Sequence, residues 1–294
     1  MKIDLQIFIN ILLTASIYLL IAYSYSLIYF TTKIFHLSHA ATITFGAYFV
    51  YFFANKFSLT LLPAILLSIL ATTLLGVTSE VLVYRYMRKK NSPLLAYLIA
   101  SIGIYLILQN CISMYFGDDP KIINMAKVAV GHLILGGYIT TIQIVIIVVS
   151  SVLFVLVNLF MHFSLTGKTV RAVASNPQLS DIYGIESNKI ILICFAIGSG
   201  LAASAGILSA MDTSMTPTFG FDLLFYGIVA MIVGGIGSNK GLIIGSFLIA
   251  TIQSLVAYYF DIQWMESITY VILILFLVWK PLGFSGQRLK KVEV

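Results

Sequence analysis

The chain alternates long apolar runs with short polar ones. Apolar segments cover residues 7–31, 39–54, 60–84, 94–116, 140–163, 190–210, 222–236, 241–260 and 265–280. Most hold about 20 residues, the length an α-helix needs to cross a hydrocarbon core of roughly 30 Å. The segments 39–54 and 222–236 are short, and a helix of about 15 residues reaches only about 23 Å. Short segments in the two halves of a transporter mark broken helices beside a transport path. The pattern predicts an all-α, polytopic membrane protein of eight or nine spans, the number depending on whether either short segment is re-entrant. One stretch departs from the alternation. Residues 167–189, from Gly167 to Lys189, form a long polar connection between two apolar runs.

Composition supports the membrane assignment. The 294 residues are 60% hydrophobic and 10% charged, where soluble domains carry about 25% charged residues. The net charge of +6 does not call for nucleic acid, because the basic residues gather in short connections, where they set membrane orientation. Arg85, Arg88, Lys89 and Lys90 follow the third span, Lys168, Arg171 and Lys189 lie in the polar segment, and Lys280, Arg288, Lys290 and Lys291 close the chain. In a nine-span arrangement all three groups share one side, cytoplasmic by the positive-inside rule, and the C-terminus with them. The 117–139 connection balances Asp118 and Asp119 against Lys121 and Lys127, which puts it outside. The N-terminus falls outside too, with Lys2 weighing weakly against that. The chain lacks a basic n-region followed by a small-residue cleavage site, so the first run is expected to stay as a helix. Cys111 and Cys194 lie in separate apolar runs and read as small buried hydrophobes.

Ionisable groups are sparse within the runs. Glu80, Asp212 and Asp222 are expected near interfaces, where a charge reaches water. No chain of Asp, Glu and His crosses the middle, which weighs against a proton-driven transporter working alone, while sodium coupling through backbone carbonyls stays open. No nucleophile, base or metal cluster has a catalytic spacing, so the chain reads as non-catalytic and without a cofactor.

The polar segment opens with Gly167-Lys168-Thr169, which looks like the end of a P-loop. That motif needs a further glycine at position 162, which is His162, and a preceding strand rather than a membrane span. Residues 168–174 suit a short helix with Val170, Val173 and Ala174 on one face. Asn176-Pro177 ends it and opens a second over 178–183, with Gly184 at its left-handed end. Two short helices around a proline make either a rigid knob or an ordinary amphipathic loop. Gly234, Gly235, Gly237 and Gly241 read as a tight helix–turn–helix, and the run from Gly198 to Gly206 as a helix-packing face. His36 and His39 are three apart without a nearby Cys or carboxylate, which makes metal a weak reading. Ser38 is a candidate N-cap. Gln109 and Asn110 lie inside an apolar run and must bond to another helix or to a passing solute.

Taken together, "ASIGIYLILQN" with "FGDDPK", "GKTVRAV" with "SNP" and "YGI", "PTFGF" and "GGIGSNKGLIIGS" resemble the LivH-type permease subunit of branched-chain amino-acid ABC transporters over nearly the whole chain. The resemblance implies one permease domain over 1–294 with a cytoplasmic coupling loop at 164–189, in the cytoplasmic (inner) membrane of a bacterium or archaeon. It implies as partners two ABC ATPase subunits, a second related permease subunit or a second copy of this one, and an external solute-binding protein. Gly167, Arg171, Ala172, Asn176, Pro177, Gly184 and Ile185 fall on matching positions of the loop that docks on the ATPases. Where the family often has Asn-Phe-Ala-His-Gly-Glu, this chain has His36, Leu37, Ser38, His39, Ala40 and Ala41. That segment is also similar to the companion LivM-type permease. Ser38, His39, Gln109 and Asn110 are the candidates for the path. Related permeases carry urea, short-chain amides or pentoses, so these solutes stand as alternatives to a branched-chain amino acid, and a stand-alone secondary transporter stands as the rival class.

Overall fold

The structure is a computed structural model and describes residues 2–123, 131–134 and 137–285. Lys127, Arg288, Lys290 and Lys291 lie outside the described residues. In chain order come α1 (Lys2–Thr32), α2 (His39–Phe57), α3 (Leu61–Ser79), a π-helical turn (Glu80–Tyr84), α4 (Arg85–Lys89) and α5 (Leu94–Phe116). A hairpin of β1 (Gly131–Ile134) and β2 (Gly137–Thr140) precedes α6 (Thr141–Phe163), α7 (Leu165–Ser175), α8 (Pro177–Ile182) and α9 (Ser187–Asp212). The chain continues through α10 (Phe219–Gly234), α11 (Asn239–Tyr259) and α12 (Trp264–Trp279). Among the described residues, six helical stretches are long and apolar enough to span a membrane: Leu5–Thr32, Leu61–Lys89, Leu94–Phe116, Thr141–Phe163, Ser187–Asp212 and Asn239–Tyr259. The shorter apolar helices are α10 and α12. The protein is an all-α, multi-pass membrane protein.

Several boundaries follow from local chemistry. At the start of α6, the Thr140 side chain accepts from the Gln143 amide (3.2 Å) and the Gln143 side chain from the Thr140 amide (3.1 Å), a reciprocal capping box. Ser58, with φ of 50°, ends α2, which at 19 residues outruns the apolar segment 39–54. Its last turn is secured by Lys56, whose Nζ donates to the Tyr115 hydroxyl (3.1 Å) and lies over the Phe52 ring. The hairpin is a departure from the sequence pattern, because four-residue strands contain too few alternations to register.

Contacts sort the helix ends into two sets. At one end, Arg88 of α4 meets Asn188 of α9 (3.2 Å), Arg171 of α7 meets the Met161 carbonyl of α6 (2.7 Å), and the Phe284 amide meets the Val233 carbonyl (2.9 Å). At the other, Gln6 of α1 accepts from the Tyr138 amide (2.9 Å), and Lys121 bridges Met215. Among the described residues, the basic connections 85–90, 168–189 and the stretch at Lys280 thus share one end, and α2 joins the two ends.

In lipid, apolar side chains gain little by turning inward, so close backbone approach and internal hydrogen bonds hold such bundles together. Helices α1 and α9 form the centre, and α2 crosses α9 closely: a Cβ at Gly206 would stand 2.0 Å from the Ile43 carbonyl oxygen. The turn between α10 and α11 is equally close, since a Cβ at Gly234 would lie 2.1 Å from the Gly241 oxygen. Here Ser238 caps α11 by accepting from the Gly241 amide (3.1 Å). Inside the bundle, Tyr18 donates to Gln253 (2.6 Å), which donates to Thr269 (2.8 Å), joining α1, α11 and α12. Two expectations are corrected. Cys111 is exposed, although Cys194 is buried. Glu80 has no exposed surface; its carboxylate is neutralised by Arg88 rather than by water.

Candidate functional site

The polar segment folds as two short helices meeting at a corner. Ser164 starts α7 by accepting from the Gly167 amide (2.9 Å). Glycine is required there because a Cβ would fall 1.8 Å from the Met161 oxygen. Gly167 is therefore a crossing point of α6 and α7 and holds no phosphate cradle. Val170, Val173 and Ala174 are buried, turning the apolar face of α7 onto α1, α6 and α9. Asn176 caps α8 by accepting from the Leu179 amide (2.9 Å), with Pro177 in the first helical position. Gly184 (φ 83°) closes α8. The Ile185 amide donates to the Ser180 carbonyl (3.0 Å) and the Gly184 amide to the Asp181 carbonyl (3.1 Å), the paired bonds of a Schellman ending. Ser187 then ties α9 back to α8, its amide donating to Asp181 (2.8 Å) and its hydroxyl to the Pro177 carbonyl (2.9 Å).

This corner is capped at both ends and bonded to its neighbour, so it is stiff, and its outer face is apolar. Ile182 is 80% exposed and Tyr183 78%, with Leu179 one turn behind. These three residues are the part of the site that sequence reasoning missed. Their signal was present as a 179/182/183 spacing, one helical face, inside an otherwise polar stretch. Arg171, by contrast, turns back to the bundle and holds the last turn of α6 through the Met161 carbonyl (2.7 Å), where a cation suits the helix end. Ala172 and Ile185 are half-buried beside the corner.

The four candidates for a path separate into two places. Ser38 and His39 are buried at the start of α2. Ser38 occupies the N-cap position without capping; its hydroxyl reaches the Tyr84 hydroxyl (2.9 Å) and His36 Nδ1 (3.2 Å), and its amide donates to Ser101 of α5 (2.9 Å). His39 Nε2 meets the Ser24 hydroxyl of α1 (3.0 Å). The His36 and His39 rings are 5.5 Å apart, with hydroxyls rather than carboxylates around them, an environment for orienting helices rather than for holding a metal.

Gln109 and Asn110 lie on α5, whose buried stripe is Tyr97, Ser101, Tyr105 and Ile112. Asn110 is exposed, and its amide donates to the Leu106 carbonyl (2.7 Å) and to Gln109 (3.2 Å), while Gln109 donates to Ser113 (3.1 Å). All of these bonds stay within α5. The outward faces of other peripheral helices are aliphatic: Leu62, Leu66, Leu70 and Leu74 on α3, and Val148, Val152, Val155 and Leu159 on α6.

Residues 7–278 match the family model for the permease component of branched-chain amino acid transport systems. The chain is 30% identical to the high-affinity branched-chain amino acid transport permease BraD of Pseudomonas aeruginosa, with 96% of each chain covered. It is 28% identical to LivH of Escherichia coli, again over 96% of each. A partial similarity, 32% identity over 36% of this chain and 32% of the other, connects it to the fructose import permease FruF of Bifidobacterium longum. No solved structure matches. With nearly its whole length matched, the chain belongs to the family of branched-chain amino acid transport permease components.

Proposed function

We propose that the protein is the membrane-spanning subunit of an ABC importer for branched-chain amino acids, one permease domain over 1–294 driven through the 164–189 segment by separate ATPase subunits. The observation that carries this reading is the stiff corner of α7 and α8 with Leu179, Ile182 and Tyr183 outward. An apolar triad on a capped helix fits the mode in which a helix presents anchors to a hydrophobic groove. The basic residues around it favour the cytoplasmic side, where ATP is. The chain then sits in a bacterial or archaeal cytoplasmic membrane, its C-terminus inside. ATP hydrolysis belongs to the partners, and the permease alternates between outward and inward access. An external solute-binding protein delivers the solute at the opposite end.

A second permease subunit, related or identical, completes the pore against α5. Asn110 sits about 8 Å from the middle of a 23-residue helix, within hydrocarbon depth, where a lipid-facing carboxamide is costly. A protein wall or a wet path relieves that cost. A photo-crosslinking side chain in place of Asn110 is expected to join two permease chains on irradiation, and one in place of Val152 to reach lipid alone. Equal crosslinking at the two sites would remove α5 from the interface.

The function is tested in proteoliposomes holding the permease with the ATPase and binding-protein chains encoded beside it. Radiolabelled leucine enters only with ATP, and unlabelled isoleucine and valine compete where urea, acetamide and ribose do not. Uptake by the permease alone on a sodium gradient would favour the secondary-transporter reading, and competition by urea, acetamide or ribose would change the solute.

A further inference from the structure

We infer that the π-helical turn Glu80–Tyr84 is a relay that passes movement of the α8 corner to the buried start of α2, with Glu80, Arg88 and Asn188 as its positioning residues. The inference rests on the docking role proposed above and adds the route from the docked segment to the bundle.

The route is made of hydrogen bonds joined by short stretches of backbone. Ser187 holds α8 through Asp181 and the Pro177 carbonyl. The next residue, Asn188, accepts from Arg88 Nη2 (3.2 Å). The Arg88 guanidinium also grips both oxygens of Glu80, Nη1 reaching Oε2 at 3.2 Å and Nη2 reaching Oε1. Glu80 opens the π turn and Tyr84 closes it. The buried Tyr84 hydroxyl meets His36 Nδ1 (3.0 Å) and the Ser38 hydroxyl (2.9 Å), at the entrance to α2. The Ser38 amide then reaches Ser101 of α5, and His39 reaches Ser24 of α1. One chain of bonds thus runs from α8 to three membrane helices.

The π turn gives the route two positions. A π turn closes its ring one residue later than an α turn, and such turns sit at functional points of helices. Returning it to α geometry with no residue removed rotates everything beyond it by about 100°, which would carry Arg88 away from Glu80. Glu80 is wholly buried, so its charge favours the π form, in which Arg88 reaches it. Asn188 shares Nη2 with Glu80 and is the half-exposed partner that pulls on the same guanidinium. A docked corner that draws on Asn188 therefore biases the turn, and the turn moves Tyr84 against His36 and Ser38. This is the two-state element that coupling between distant sites requires.

The test uses the assembled transporter and measures two quantities together, leucine uptake and ATP hydrolysis. Asn188→Ala removes one half-exposed bond and leaves the Glu80–Arg88 pair intact. Uptake per ATP hydrolysed is expected to fall about fivefold or more, with the ATPase still co-purifying at its normal level. Arg88→Lys keeps the charge beside Glu80 but loses the second reach to Asn188, so it should accumulate normally in the membrane and share the uncoupled ratio. If both variants transport with the normal ratio, the residues merely hold the fold and the relay is overturned. If Asn188→Ala instead releases the ATPase, Asn188 shapes the docking surface and the relay is equally overturned. Failure of the unaltered permease to bind the ATPase or to respond to ATP would take down the docking role itself, a pattern distinct from both.

Discussion

With Ile182 and Tyr183 both changed to aspartate, the permease reaches the membrane at its normal level but no longer carries solute on ATP. Both side chains lie in the open, at 80% and 78% exposure, so the fold loses nothing by their removal. The α8 corner is held by backbone bonds and by Asn176, Asp181 and Ser187, none of which the change touches. What is lost is the anchor. At the centre of a protein interface such residues contribute about 2 kcal/mol each or more. Losing both weakens docking by roughly a thousandfold, and two buried aspartates add a desolvation cost. Co-purification of the ATPase reports this directly, with ATP-driven leucine uptake beside it. Retained ATPase binding at the normal level would mean that the partner grips another surface. Arg171 is a poorer probe, because it holds the end of α6 and its charge reversal disturbs the permease before it disturbs a partner.

Gly206→Val is expected to keep the permease from accumulating. The new Cβ would stand 2.0 Å from the Ile43 oxygen and 3.0 Å from the Ile43 side chain. The obstacle is backbone, so no rotamer change relieves it, and α2 must move away from α9. Overpacking on this scale costs on the order of 3 kcal/mol, much of a typical stability margin of about 5–15 kcal/mol. The same movement pulls at His39 and Ser24 and at the nearby approach of Gly46 to Ala203. Gly103→Val is the control, because a Cβ at Gly103 meets nothing within 4 Å. Membrane abundance and thermal stability in detergent should fall sharply for Gly206→Val and hardly at all for Gly103→Val. Equal behaviour of the two would show that α2 and α9 do not cross closely.

The helices were legible because lipid imposes one requirement, a long apolar run, and the sequence meets it openly. Their ends were readable where a side chain or glycine sets them, as with Asn176-Pro177 before α8 and Gly184 after it. Four matters were hidden. The π turn interrupts an apolar run without altering its composition, so 60–84 read as one uninterrupted span. Glu80 looked like an interfacial charge because its partner Arg88 is eight residues along and comes into register only through that turn. The carboxamides of Gln109 and Asn110 announced a need for partners but not their identity. Gln253, which does join helices through Tyr18 and Thr269, drew no notice because its partners are distant in sequence.

The π turn also says something about what this stretch can change over generations. A helix of α geometry that gains one residue has somewhere to put it, and a π turn is that place. Dropping a single codon within 81–83 would yield a regular α-helix and leave Arg88 pointing as it does now, because the wide turn absorbs the extra residue. Between Glu80 and Arg88 the chain can therefore lose a residue and keep its ion pair, but in doing so it loses the turn.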